Sequence, residues 1–307
     1  MRILVVGAGA VGGYFGGRLA EAGRDVTFLV RERRRQELKE RGLVIRSVHG
    51  DWREAVSTVV SGEAADPFDL VLLAVKAYYL EASIRDLEPY IGEETRILPL
   101  LNGVIHLDRL REVFGEERVL GGLCFIETTL NAQGEVEQYS ERHDLFYGAL
   151  TDGQQKWLHR LDETFAGVRA EVRRSDDIRR EVWKKYLFIA TFSGITSLMG
   201  SAIGPVRETA SGLASLSRLF SDIVTAASVR EPELVPSLRE EVWRTLVELE
   251  PSMKSSMLRD MEKGTAVEVD HLHGSLLDLT GPDTDLSLLR AVVARLKVYE
   301  TVRRMDK

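Results

Sequence analysis

From residue 2 the chain alternates short aliphatic and β-branched runs with segments whose apolar positions recur every three or four residues. RILVV, DVTFLV, DLVLLAV and RILPLL read as strands, with FGGRLAEAG and EASIRDLEPYI as helical segments among them. These strands are apolar on both faces, the pattern of a parallel sheet covered by helices on either side. After VRAEVRRSDD, residues 168 to 177, the period changes. Ser175, Asp176 or Asp177 can cap a helix start there. The rest of the chain keeps helical spacing in LASLSRLFSDIVTAAS, LREEVWRTLVELE, a segment from Ser255 onward and LSLLRAVVARLKVYE. The expected fold is therefore α/β: an N-terminal Rossmann-type doubly wound sheet over 1–174 and a C-terminal all-helical domain over 175–307, with a cleft between them. No internal repeat and no low-complexity tract interrupts this plan.

From Tyr186 to Gly204 no residue carries a formal charge, which raises the question of a membrane span of about 20 predominantly apolar residues. Thr191, Ser193, Gly194, Thr196, Ser197, Gly200 and Ser201 lie within it, so a helix buried inside protein is expected instead. Composition agrees, since 307 residues that are 44% apolar and 29% charged suit a globular chain of two domains. A formal charge of −7 argues against a nucleic-acid partner, whose phosphates need clustered Lys and Arg. The basic cluster RERRR at 31 to 35 then requires a local explanation. Cys124, the single cysteine, excludes an intrachain disulfide and sits in a strand-like GGLCFIE without an evident base, which favours packing over nucleophilic chemistry. A strand beginning at residue 2 leaves no room for a signal peptide, so the cytoplasm is the expected location.

Candidate chemistry begins at Gly7-x-Gly9-x-x-Gly12, directly behind the strand RILVV and ahead of a helix. Gly7 permits a tight turn, Gly9 lets backbone approach a pyrophosphate, and Gly12 lets helix and strand close up. With Ala10 and Val11 these residues would bring unsatisfied N–H groups and a positive helix end to the phosphates, although such a turn also occurs for packing alone. Where an NAD site carries Asp or Glu, about 20 residues further on, this chain has Arg31. A guanidinium matches a 2′-phosphate, so NADP(H) is the expected cofactor, the rival reading being a solvated helix start. In EVWKKYLFIATFSG, Lys185 shares a helix face with Ile189, Ser193 and Thr196, whereas Lys184 points about 100° away. Spacing alone leaves Lys185 open between a cation that snorkels to water and a general acid for carbonyl reduction. His271 and His273 with Glu268 and Asp270 lack the spacing of a metal site, and no metal is expected.

Taken together, GAGAVGGYFGG, the VK of LLAVKAYYLE, the NG of LPLLNGV, the WKK of the lysine helix and SSMLRDMEKGTAVEVDHLHG resemble the ketopantoate reductase family over nearly the whole chain. The resemblance implies an NADPH-dependent 2-dehydropantoate 2-reductase in which Lys185 donates the proton and Glu268 is an active-site acid. It further implies that Lys76 helps bind cofactor, that Asn102 lies beside nicotinamide and substrate, and that Ser256 holds the substrate carboxylate. Each has a plainer rival: a surface charge at Lys76, a turn former at Asn102, a cap or packing residue at Ser256, a solvated carboxylate at Glu268.

The family's asparagines that hold the substrate hydroxyl are replaced by Ile189, Ser193 and Ile203, leaving Ser193 as one hydroxyl on the face. The expected activity is therefore reduction of a 2-oxo acid, ketopantoate first, in the manner of pantothenate biosynthesis. The alternatives are a paralogue acting on a 2-oxo acid without the terminal hydroxyl, and a non-catalytic NADP(H)-binding regulator. Expected partners are a small molecule and, among macromolecules, a second copy of the chain as a homodimer, with neither nucleic acid nor membrane.

Overall fold

The structure is a computed structural model that describes residues 1–305. Its strands are β1 (Arg2–Val6), β2 (Asp25–Leu29), β3 (Leu43–Ser47), β4 (Trp52–Glu54), β5 (Ser57–Val59), β6 (Phe68–Leu73), β7 (Ile91–Pro99), β8 (Gly121–Leu130), β9 (Val136–Gly148) and β10 (Glu171–Arg174). The helices are α1 (Ala10–Glu21), α2 (Glu32–Arg41), α3 (Leu80–Leu87), α4 (Ile105–Phe114), α5 (Gln155–Phe165), α6 (Ile178–Met199), α7 (Ile203–Glu208), α8 (Ala210–Ser228), α9 (Leu234–Ser237), α10 (Arg239–Glu248), α11 (Ser256–Glu262), α12 (Ser275–Asp278) and α13 (Ser287–Met305). Two compact units result, Met1–Leu101 with His106–Arg179, and Asn102–Ile105 with the chain from Arg180 onward.

Among the described residues, five strands of the first unit form a parallel sheet in the order β5-β2-β1-β6-β7. This is the doubly wound arrangement that the apolar runs predict. Ile3, Leu4 and Val5 of β1 and Leu70, Val71 and Leu72 of β6 are fully buried, each side chain contributing about 1.5–3 kcal/mol by leaving water.

The first unit also holds a second, mixed sheet, ordered β10-β9-β3-β4 with β8 antiparallel to β9. This sheet is an addition to the doubly wound one that the apolar runs predict. Its longest strand, VEQYSERHDLFYG, buries only part of its length and is rich in polar residues, so it lacks the apolar signature of a central strand. Helix α1 lies against both sheets. A Cβ on Gly16 would stand 2.7 Å from Phe28 and one on Gly17 2.6 Å from Ile45. The repeated glycines of GGYFGG therefore remove side chains on two faces of one helix.

The second unit is helical among its described residues. The uncharged run fills the later part of α6, which ends at Gly200 in the left-handed region (φ +62°) and resumes as α7. No helix among the described residues is long and apolar enough to cross a membrane. Thr209 caps α8 by accepting from the Gly212 N–H, and Ser255 caps α11 by accepting from the Leu258 N–H. Between α11 and α12 the chain makes a π-helical turn, Asp270–Gly274.

Candidate active site

In the first unit Gly7 takes φ +93°, beyond the easy reach of other residues. A Cβ on Gly12 would come within 2.1 Å of the Gly7 carbonyl oxygen, so turn and helix meet backbone to backbone. At Gly9 a Cβ would meet nothing within 4 Å, leaving an open face ahead of α1. The first intrahelical bond runs from Gly13 N–H to Gly9 O at 2.8 Å, which leaves the Ala10, Val11 and Gly12 N–H groups without helical acceptors. An open glycine before a helix with first-turn donors to spare fits a dinucleotide pyrophosphate.

The basic cluster divides by task. Arg34 donates from Nε to the Ala8 carbonyl at 3.2 Å and from Nη1 to Glu37 at 3.1 Å, bracing the glycine turn. The Arg34 hydrogen bond also holds the Glu37 carboxyl below its usual range, against a burial that opposes it. Arg33 pairs with Glu37 at 3.1 Å and Arg35 with Glu63 at 2.6 Å. The Arg31 side chain makes neither hydrogen bond nor ion pair among the described residues; its guanidinium carbon lies 4.6 Å from the centroid of the Tyr79 ring. Lys76 follows the end of β6, and its carbonyl accepts from the Tyr79 N–H at 2.9 Å, so a 3₁₀ turn joins the two residues.

In the second unit the paired lysines separate as their helix positions require. Lys184 reaches Glu241 at 2.7 Å and Glu181 at 3.4 Å. Burial pulls its pKa down, but the Glu241 hydrogen bond and the charges of both carboxylates outweigh it and hold the ammonium above its usual range. Lys185 is buried, only 6% exposed, and Glu268 is buried at 9%. Burying a charged group is unfavourable unless its surroundings hold it, so an ammonium kept there needs a reason that Lys184 does not.

Tyr186, adjacent to Lys185, donates its hydroxyl to the Leu272 carbonyl at 2.9 Å and lies 3.1 Å from Ser275 Oγ, which in turn donates to the His271 carbonyl at 2.7 Å. This buried chain ties α6 to the π-helical turn, and the Glu268 carbonyl accepts the Leu272 N–H at 3.0 Å at its start. The wider π geometry frees carbonyls that a regular helix keeps to itself. His273 donates from Nε2 to the Ala190 carbonyl at 2.8 Å, and full burial pushes its pKa down to about 4. His271 packs on the Asn102-Gly103 turn: a Cβ on Gly103, at φ +87°, would lie 3.0 Å from the imidazole Cδ2. Burial depresses the His271 pKa, while the Glu268 charge and a hydrogen bond to the Asn102 backbone pull the other way. The two histidines thus serve the helix and the turn.

On the face shared with Lys185, Ile189 is half-buried, and Ser193 is buried with no hydrogen-bond partner for its hydroxyl. Thr196 donates to the Phe192 carbonyl at 2.7 Å and lies 2.8 Å from Ser255 Oγ. Ser255 is therefore committed to α6 and to its own helix, whereas Ser256 is exposed. Ile203 is fully buried. Tyr79, Tyr186 and His271 are not among the site residues that the sequence predicts. Only Tyr186 leaves a signal there, a tyrosine in a buried run that must find a hydrogen-bond partner.

The family model described as "Ketopantoate reductase PanE/ApbA" matches residues 3–152, and that of its C-terminal part matches residues 177–300. The chain belongs to the ketopantoate reductase family. It is 44% identical over 306 residues to "Uncharacterized oxidoreductase YkpB" of Bacillus subtilis, covering 98% of this chain and 99% of that one. A 2-dehydropantoate 2-reductase of Mesorhizobium japonicum is 28% identical over 329 residues, covering 97% and 98%. Among solved structures, D-mandelate dehydrogenase with NADH and anilino(oxo)acetate shares the fold at a TM-score of 0.87 and 22% identity, covering 99% and 100%. This member of the ketopantoate reductase family is an oxidoreductase that works with a nicotinamide dinucleotide.

Proposed function

We propose that the protein reduces a 2-oxo acid to the 2-hydroxy acid with NADPH in the cytoplasm, ketopantoate being the first candidate substrate. The observation that carries the proposal is the pair of adjacent lysines. Lys184 is engaged by two carboxylates near the surface, while Lys185 is withdrawn from water on the face that carries an unpartnered serine hydroxyl. NADPH, held by Gly7, Gly9, Ala10, Val11 and Gly12, with Lys76 and with Arg31 at its 2′-phosphate, supplies a hydride to C2. Lys185 gives its Nζ proton to the C2 oxygen as negative charge builds there, so the carbonyl gains one hydride and one proton. Glu268 keeps the ammonium charged and oriented, Asn102 holds the substrate near the nicotinamide, and Ser256 receives the substrate carboxylate.

The substrate tail is the less family-like part. Ile189 stands where a hydroxyl-binding asparagine is expected, and Ser193 offers one unpartnered hydroxyl beside it. That observation favours a second reading within the same chemistry, a 2-oxo acid lacking the terminal hydroxyl. NADPH oxidation measured across a panel of 2-oxo acids tests both readings. Turnover of ketopantoate or its deoxy analogue is expected. Absence of turnover with every 2-oxo acid, by protein that binds NADPH, would overturn them.

A further inference from the structure

We propose that Tyr79 is a positioning residue for cofactor specificity: its ring holds the Arg31 guanidinium flat, so that the arginine's N–H edge meets the 2′-phosphate. This rests on Arg31 binding that phosphate and adds the residue through which Arg31 works. Within residues 31 to 35, Arg33, Arg34 and Arg35 all commit donors to carboxylates. Arg31 alone commits none among the described residues, and it faces an aromatic ring with its guanidinium carbon 4.6 Å from the centroid.

Stacking uses the face of a guanidinium and leaves its five N–H donors at the rim, the geometry needed for bidentate pairing with a phosphate. A long side chain held in this way loses less rotamer freedom when the phosphate arrives. The ring is itself held. Tyr79 closes the 3₁₀ turn onto Lys76 at 2.9 Å, and the Tyr78 ring packs against it edge-on at 4.7 Å and 69°. Arg31 is anchored from its own side as the residue capping α2, its carbonyl accepting from the Arg35 N–H at 3.0 Å. The Tyr79 hydroxyl makes no hydrogen bond among the described residues, so the ring and not the hydroxyl performs the task.

Calorimetric titration with 2′,5′-ADP and 5′-AMP isolates the phosphate without any turnover. Wild type should prefer 2′,5′-ADP, and Arg31→Ala should abolish the preference. Tyr79→Leu should reduce it about two- to fivefold, the range for an exposed cation–π contact at tenfold per 1.4 kcal/mol, and leave 5′-AMP binding intact. Tyr79→Phe should retain the wild-type preference. A Tyr79→Leu protein with an unchanged preference, or with equal losses for both nucleotides, would overturn the positioning role while leaving Arg31 in place. An Arg31→Ala protein that keeps its preference would overturn the Arg31 reading and this proposal with it.

Discussion

Lys184 and Lys185 differ by one peptide unit, yet a turn of about 100° gives them different surroundings. Lys185→Ala should lower kcat by about 10²- to 10⁴-fold, the contribution of a general acid, while NADPH binding stays measurable by fluorescence. Lys184→Ala removes a partly exposed ion pair and should change kcat little. Equal effects of the two substitutions would refute the assignment. Four residues further along the same face, Ile189 cannot answer a substrate hydroxyl, and an unsatisfied buried polar group costs about 1–3 kcal/mol, roughly 5- to 150-fold in kcat/KM. Ile189→Asn should therefore raise kcat/KM for ketopantoate relative to its deoxy analogue. A ratio that is already high in wild type and does not move in the variant would place the hydroxyl elsewhere. Both residues are legible in the sequence because helix periodicity alone puts them on one face. His271 and Tyr79 are not, because their neighbours, the Asn102-Gly103 turn and Arg31, lie far from them along the chain.

Helix α1 shows how one motif serves two purposes. Its opening glycines shape the tight turn ahead of the helix, where the proposal seats the nucleotide, and spacing with a preceding strand makes that turn a local signal in the sequence. Gly13 and Gly17 answer to the mixed sheet: a Cβ would stand 2.8 Å from Val136 at the first and 2.6 Å from Ile45 at the second. That role is invisible without the sheet, whose long polar-rich strand β9 does not alternate as a half-buried strand should. The two groups of glycines should fail differently when replaced. Gly12→Ala drives a methyl into the Gly7 carbonyl, a backbone atom that cannot move without opening the turn, so NADPH binding should be lost. Gly17→Ala meets the tip of a flexible isoleucine. Overpacking by about 1–3 kcal/mol is offset by about 1 kcal/mol of helix propensity, so urea denaturation should show a modest loss of stability with the NADPH dissociation constant unchanged. Loss of NADPH binding in Gly17→Ala would show that the second glycine pair also shapes the nucleotide turn.

At the scale of the whole molecule, the periodicity of the sequence changes near residue 175, and the compact units divide after Arg179. The assignment of Asn102–Ile105 to the helical unit is not readable in the sequence, since a four-residue excursion leaves no compositional trace. Both units share a sensitivity to acid that arises from their buried imidazoles. His143 in the first unit is held below the ordinary histidine range by burial and then by the charge of His49, stacked at 3.6 Å. His271 and His273 in the second are depressed chiefly by burial, His273 to about 4. Because the folded pKa lies below the unfolded one, the unfolded chain binds more protons between the two values, and stability rises with pH through that window. The stabilisation is fully present above the unfolded value near 6.5 and is lost as pH falls toward the folded value. For His273 alone, a pKa of about 4 against about 6.5 implies a loss of about 2 kcal/mol between pH 7 and pH 5. Urea unfolding at the two pH values should show that loss, added to whatever carboxylate protonation contributes. His273→Gln keeps a donor for the Ala190 carbonyl and removes the titration. It should lower stability at pH 7 yet flatten the drop toward pH 5 by about 2 kcal/mol. A variant with the full wild-type slope would mean that His273 accepts its proton without unfolding the helices around it.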